Sequence, residues 1–174
     1  FILLLAAACG ARVEGPASGP LHILVTNDDG IEAPGLAALA EALIPLGKVT
    51  VAAPRDNRSG VSHGVTSDRP IGVVESERGG MKWFAIDALP ATCLRLAVET
   101  LLPAKPDFVV SGINVGENLG TVPFYSATVA GAREAAFQGI PSMAVHLARS
   151  RAMDYAAAAR LTAVVFGEGL DGRT

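Results

Sequence analysis

Two adjacent carboxylates, Asp28 and Asp29, follow an apolar run, Leu21-His-Ile-Leu-Val-Thr-Asn27, and precede Gly30 and Pro34. Carboxylates paired in this way can hold a cation. Ile23, Leu24 and Val25 fit a strand covered on both faces. Were the strand to continue through Asp28 and Asp29, they would point to opposite faces, and one charge would be buried unpaired at a cost of roughly several kcal/mol. The strand must therefore stop there. Gly30 permits a turn and Pro34 suits a first helical position. Leu36, Leu39, Ala40, Leu43 and Leu46 then recur at helical spacing, with Gly47 as a stop. Asn-Asp-Asp-Gly is also good turn chemistry by itself, so the motif alone leaves a plain turn open.

The elements that follow bring more polar groups to the same edge. Val49–Ala53 reads as a second strand, leaving through the loop Pro54-Arg-Asp-Asn-Arg58-Ser59-Gly60. Trp83–Ile86 reads as a strand and Pro90–Leu102 as a helix, with Cys93 in its apolar pattern as a core residue. Phe108–Val110 reads as a buried strand ending in Ser111-Gly-Ile-Asn114, followed by a glycine-rich loop holding Asn118. Tyr125-Ser126-Ala-Thr128 opens a helix to Gln138; Pro141–Leu147 reads as a strand and Met153–Phe166 as a helix. The alternation predicts an open, doubly wound and mostly parallel α/β sheet, in which ligands sit beyond the carboxyl ends of the strands. Asp28/Asp29, the Arg55–Ser59 loop and Asn114/Asn118 all fall there.

Carboxylate, hydroxyl and carboxamide are hard oxygen donors, suited to Mg²⁺, Mn²⁺ or Ca²⁺, and no Cys/His cluster has zinc spacing. A divalent ion beside Arg58 and a Ser/Thr-bearing helix start suits a phosphate, which points to metal-assisted phosphoester hydrolysis. Arg58 could equally be a solvated charge, and Ser126/Thr128 a helix cap. Of the histidines, His63 beside the Ser59 loop is a candidate site residue, whereas His146 lies in an apolar strand and fits a structural role.

With 174 residues, half of them hydrophobic and 18% charged, the chain can bury one good core. A net charge of −3 without a dense Lys/Arg cluster, and few aromatics, argue against a nucleic-acid polymer as partner. Residues 1–20 are expected to lie outside the fold, as a truncated secretory or lipoprotein-like leader or a disordered segment. Leu-Ala-Ala-Ala-Cys9 looks like a lipoprotein processing site that would anchor Cys9 through lipid, and the apolar stretch is too short to span a bilayer. A true leader implies the envelope or periplasm.

Four ordered blocks resemble the signatures of the SurE family of survival-protein nucleotidases: Thr26-Asn27-Asp28-Asp29-Gly30-Ile31, Ala53-Pro54 through Asn57-Arg58-Ser59-Gly60, Ser111-Gly-Ile-Asn114-Val-Gly-Glu-Asn118, and Tyr125-Ser126-Ala-Thr128-Val-Ala130. The resemblance implies a Rossmann-like, three-layer α/β/α domain over 21–174, truncated at its C-terminus. It implies a 5′-nucleotidase or acid-phosphatase-like activity on nucleoside 5′- and 3′-monophosphates. Asp28, Asp29, Ser59 and Asn114 would hold the metal, and Arg58, Asn118, Ser126 and Thr128 would surround the phosphate. Asp28, Asp29, Asn118 and Ser126 would carry catalysis, with either aspartate as base. A homodimer or tetramer is expected from the same likeness, as is the cytoplasm where the leader is not real.

The chain departs from the family's Ser-Gly-Thr at Ala127, from its Pro-Asp at Arg55, and from its Gly-Thr-Pro-x-Asp-Cys at Ala88-Leu89-Pro90-Ala91-Thr92-Cys93. These changes bear on substrate preference and rate, and motivate an alternative reading as a catalytically impaired nucleotide-binding homologue. Another alternative, a receiver-like phosphoacceptor module, would need an Asp at the end of the central strand and a Lys after a later one. Ser111–Asn114 and Val145-His146-Leu147 stand there instead.

Overall fold

Ile23, Leu24 and Val25 are fully buried, and successive residues enter opposite cores. In the computed structural model, which describes residues 2–7 and 19–171, they form β2 (His22–Thr26), preceded by β1 (Ile2–Ala7). Ile23 and Val25 pack with Leu36 and Leu39 of α1 (Pro34–Leu43) and Phe166 of α4 (Tyr155–Asp171). Leu24 instead packs with Cys93 and Leu94 of α2 (Pro90–Leu96) and Ala135 of α3 (Ala127–Phe137). Side chains alternate across a strand, so a strand apolar at every position requires a helical layer on each side. The result is the three-layer α/β/α architecture.

The remaining strands are β3 (Lys48–Pro54), β4 (Val73–Arg78), β5 (Met81–Ile86), β6 (Phe108–Val115) and β7 (Ser142–Leu147). Among the described residues the sheet runs β1-β7-β6-β2-β3-β5-β4. Its five inner strands are parallel, and the edges β1 and β4 are antiparallel. From β2 the chain moves outward to β3, then returns to β2's other side as β6. That reversal opens a crevice at the carboxyl ends of β2 and β6.

Three features differ from the sequence reading. Ile2–Ala7, expected outside the fold, pairs antiparallel with β7 from Ile2 opposite Leu147 to Ala7 opposite Ser142. An uncharged apolar segment satisfies backbone groups that an open β7 edge would leave unpaired. Cys9, with its proposed lipid, lies outside the described residues. The second difference is β4, joined to β5 through Gly79-Gly80; its mostly exposed side chains carry no apolar alternation to announce a strand. The third is β6, which does not end at Val110 but runs to Val115 through a register shift between Ser111 and Asn114.

Gly112 makes that shift possible. Its φ is +151°, and a Cβ there would stand 2.6 Å from the Val145 carbonyl oxygen. Neither the backbone angle nor the neighbouring strand leaves room for a side chain. Gly112→Ala is expected to lower unfolding free energy by about 2–4 kcal/mol in denaturant titration. A loss below about 0.5 kcal/mol, the range of an ordinary surface change, would contradict this packing.

Candidate active site at the carboxyl edge of the sheet

The acidic turn after β2 is built by Asn27. Its buried amide donates to the Gly30 carbonyl at 3.0 Å, and its Oδ1 accepts the Gly30 N–H at 3.2 Å. Gly30, with φ +104°, leaves only 3.1–3.2 Å between an imagined Cβ and the backbone of Asp56 and Asn57, so the loop after β3 lies directly on this turn. Two backbone bonds fasten the contact: Arg58 N–H to the Asp28 carbonyl at 2.7 Å, and Ile31 N–H to the Pro54 carbonyl at 2.8 Å. In this way Ser59 reaches the pair, its hydroxyl donating to Asp29 Oδ1 at 3.4 Å.

A cleft of about 540 Å³ opens over these groups, walled by Asp28, Asp29, Ser59, Asn114, Asn118 and Ser126. Six of the sequence-derived residues therefore meet in one place. Asn114, at the end of β6, turns its amide nitrogen to the Gly116 carbonyl at 2.9 Å. Ser126 caps α3, accepting Val129 N–H at 3.2 Å, and also accepts from Asn118 Nδ2 at 2.5 Å. With both lone pairs engaged, the Ser126 hydroxyl hydrogen is free to donate elsewhere.

Two expected phosphate ligands stand apart. Arg58 does not line the cleft: its guanidinium faces Asp87 at 3.5 Å, a carboxylate that Arg69 also grips at 2.8 Å. A fixed neighbouring carboxylate is the partner Arg58 takes. Thr128 is fully buried and donates to Asp28 Oδ1 at 2.5 Å, so it orients a carboxylate rather than facing the cleft.

His63 also lies outside the cleft wall. Its Nε2 donates to Glu134 Oε2 at 2.8 Å while its Nδ1 accepts from Arg133 Nε at 3.0 Å, which latches the Ser59 loop onto α3. Ser62 adds a second tie, its N–H to the Tyr125 carbonyl at 3.0 Å and its hydroxyl to the Phe124 carbonyl at 2.7 Å. Burial pushes the Glu134 carboxyl up, but bonds from His63 and Arg95 outweigh it and hold the group below the usual carboxylate range.

The acidic pair shows the opposite balance. Burial, only partly offset by the Thr128 bond and reinforced by the adjacent Asp29 charge, pushes the Asp28 carboxyl up to about 6. Asp29 is also raised by burial, against the nearby Val115 N–H, the Ser59 bond and the Arg149 charge. Asp29 Oδ2 is buried with no hydrogen-bond partner. An orphaned carboxylate oxygen beside a second carboxylate, a hydroxyl and a carboxamide is a donor set that fits a hard divalent cation. Among the described residues no group of three or more His, Cys, Asp or Glu is placed to hold a metal, so the hydroxyl and the carboxamide would have to complete a ligand set begun by the two carboxylates.

A family sequence model described as survival protein SurE matches residues 23–172. The chain belongs to the SurE family. A 5′-nucleotidase SurE from Pelobacter propionicus is 52% identical over 128 residues, covering 74% of this chain and 51% of that protein. One from Moorella thermoacetica is 45% identical over 158 residues, covering 87% and 61%. The crystal structure of the SurE protein from Aquifex aeolicus superposes with a TM-score of 0.79 at 38% identity, covering 86% of this chain and 60% of that one. The chain thus spans between half and two thirds of the length of these relatives.

The cleft has further walls to which the sequence alone assigned no role. Asn57 lines it while its Oδ1 accepts Ser59 N–H at 2.9 Å, and Arg149, Val122 and Tyr125 complete it. Arg149 follows β7, so the same strand-end rule that picked out Asp28 and Asn114 would have found it. Glu134 gave no such signal, because a helix interior is an unremarkable place for a glutamate.

Linkage makes the raised Asp28 carboxyl testable. The folded protein keeps this proton between the ordinary value of 3.8 and about 6, where the unfolded chain has released it. Without metal, Asp28 therefore makes stability fall as pH rises through that window and adds no further slope above it. Asp28→Asn is expected to remove this slope and to raise metal-free stability at pH 7 by about 1–3 kcal/mol. Parallel pH profiles of thermal unfolding for the two proteins would contradict the assignment.

Proposed function

We propose that this chain carries the core of a metal-dependent phosphomonoesterase that hydrolyses nucleoside 5′- and 3′-monophosphates. The observation that carries the reading is the unpartnered, buried Asp29 Oδ2 beside Asp28, in the same cleft as the Ser126 hydroxyl at the start of an 11-residue helix. The relatives' name, 5′-nucleotidase SurE, supports the substrate class.

Asp28, Asp29, Ser59 and Asn114 would hold Mg²⁺, Mn²⁺ or Ca²⁺, which when bound polarises a phosphoryl oxygen and neutralises charge in the transition state. The chain's own groups do the rest. Ser126 donates its free hydrogen to a phosphate oxygen, and the amino end of α3 favours the anion there. Arg149 adds positive charge at the rim, and Val122 and Tyr125 offer an apolar wall to the nucleoside. Thr128 holds one oxygen of Asp28 and so fixes how that carboxylate faces the cleft, where either aspartate can accept a proton from the attacking water. As water oxygen bonds to phosphorus, the ester P–O bond breaks and the departing nucleoside oxygen takes a proton from solvent while the aspartate returns its own to solvent, giving nucleoside and inorganic phosphate.

Purified protein assayed for phosphate release from nucleoside 5′- and 3′-monophosphates should be active with Mg²⁺ or Mn²⁺ and inactive after chelation. Asp29→Asn and Asn114→Ala should each lower kcat/KM by about a hundredfold or more. Turnover that survives chelation, or that both substitutions leave undiminished, refutes the reading.

A further inference from the structure

We propose that His146 is a positioning residue for phosphate binding, acting through Asn118 to aim the Ser126 hydroxyl into the cleft. The inference rests on the phosphate-binding role proposed for that cleft. His146 is fully buried in β7, between Val145 and Leu147, and its Nε2 has no hydrogen-bond partner. Leaving a ring nitrogen unsatisfied in a core is costly, so the ring's other nitrogen must account for its presence.

That nitrogen, Nδ1, stands 2.9 Å from Asn118 Nδ2. An amide nitrogen offers only hydrogens, so Nδ1 must be the accepting nitrogen and the hydrogen must sit on Nε2. Asn118 then spends one amide hydrogen on His146 and the other on Ser126 Oγ, at 2.5 Å. Ser126 Oγ also accepts Val129 N–H, so its own hydrogen has nowhere to go but the cleft. Were the Asn118 amide turned over, Oδ1 would face the Nδ1 lone pair on one side and take the Ser126 hydrogen on the other. The Nε2–H tautomer of His146 thus goes with this amide orientation, whereas an Nδ1–H tautomer would pair with the turned-over amide; ring and amide are set together, and the amide selects the direction of the serine hydrogen. An apolar side chain at 146 would exert no such choice.

The test compares His146→Leu, which removes the acceptor, with His146→Asn, whose side-chain oxygen can reach the place of Nδ1. Binding of inorganic phosphate in the presence of Mn²⁺, measured by calorimetry, should weaken about tenfold in His146→Leu and return to within about threefold of wild type in His146→Asn. KM for a nucleoside monophosphate should follow the same order, with kcat changing less. Imidazole ¹⁵N spectra of wild type should show the Nε2–H tautomer at His146, and Asn118→Ala should shift its Nδ1 resonance. An Nδ1–H tautomer, wild-type phosphate affinity in His146→Leu, equal losses in both variants, or no phosphate binding by wild type would each overturn the proposal. A wild-type protein that binds phosphate with this dependence yet turns over no nucleotide would instead refute the proposed reaction and sustain the role of His146.

Discussion

The constraint on which the rest depends is electrostatic: two neighbouring carboxylates are held at the mouth of a parallel sheet, partly out of water. Desolvation raises both acids, the Asp29 charge adds to the rise at Asp28, and Asp29 keeps an oxygen without a partner. A fold tolerates such a pair where a cation can complete it. The surrounding bonds hold the pair in place without neutralising it. Asn27 braces the turn, Thr128 grips one oxygen of Asp28, and Arg58 N–H ties the turn's carbonyl to the next loop.

The topology explains why these donors converge. β2 and β6 are neighbours in the sheet but far apart in sequence, and the chain leaves them in opposite directions, so the crevice between them is not filled by their own connections. The Ser59 loop closes it from the β3 side. Ser62 and His63 bind that loop to the segment before α3 and to α3 itself, coupling the proposed metal side of the cleft to its phosphate side. Glu134, buried among His63, Arg95 and Gln138, is the hub of that coupling.

Much of this was legible in the sequence because the signals were local. An apolar run ending in Asn-Asp-Asp-Gly marks a strand end, and Pro34 marks the helix behind it. Repeated at Asn114 and Ser59, such ends define one edge of a sheet. What escaped was set by tertiary partners. Arg58 has the right chemistry for phosphate but faces Asp87, which lies 29 residues away in sequence. Thr128 reads as a cap or phosphate donor, yet a contact across 100 residues gives it to Asp28. β6 overran its expected end because Gly112 lets the strand bulge and continue, and β4 carried no alternation because it is an exposed edge. His146 reads as structural from its apolar surroundings; only the position of Asn118 reveals what its ring faces.

The central claim, that Asp28 and Asp29 form a cation site, is tested most directly by titrating the protein with Mn²⁺ under electron paramagnetic resonance. The structure predicts one ion per chain at neutral pH, with affinity falling as pH drops below about 6 and protons compete for Asp28, and with binding lost when both aspartates become asparagine. Equal Mn²⁺ binding by that double variant, or none by the wild-type protein, would contradict it.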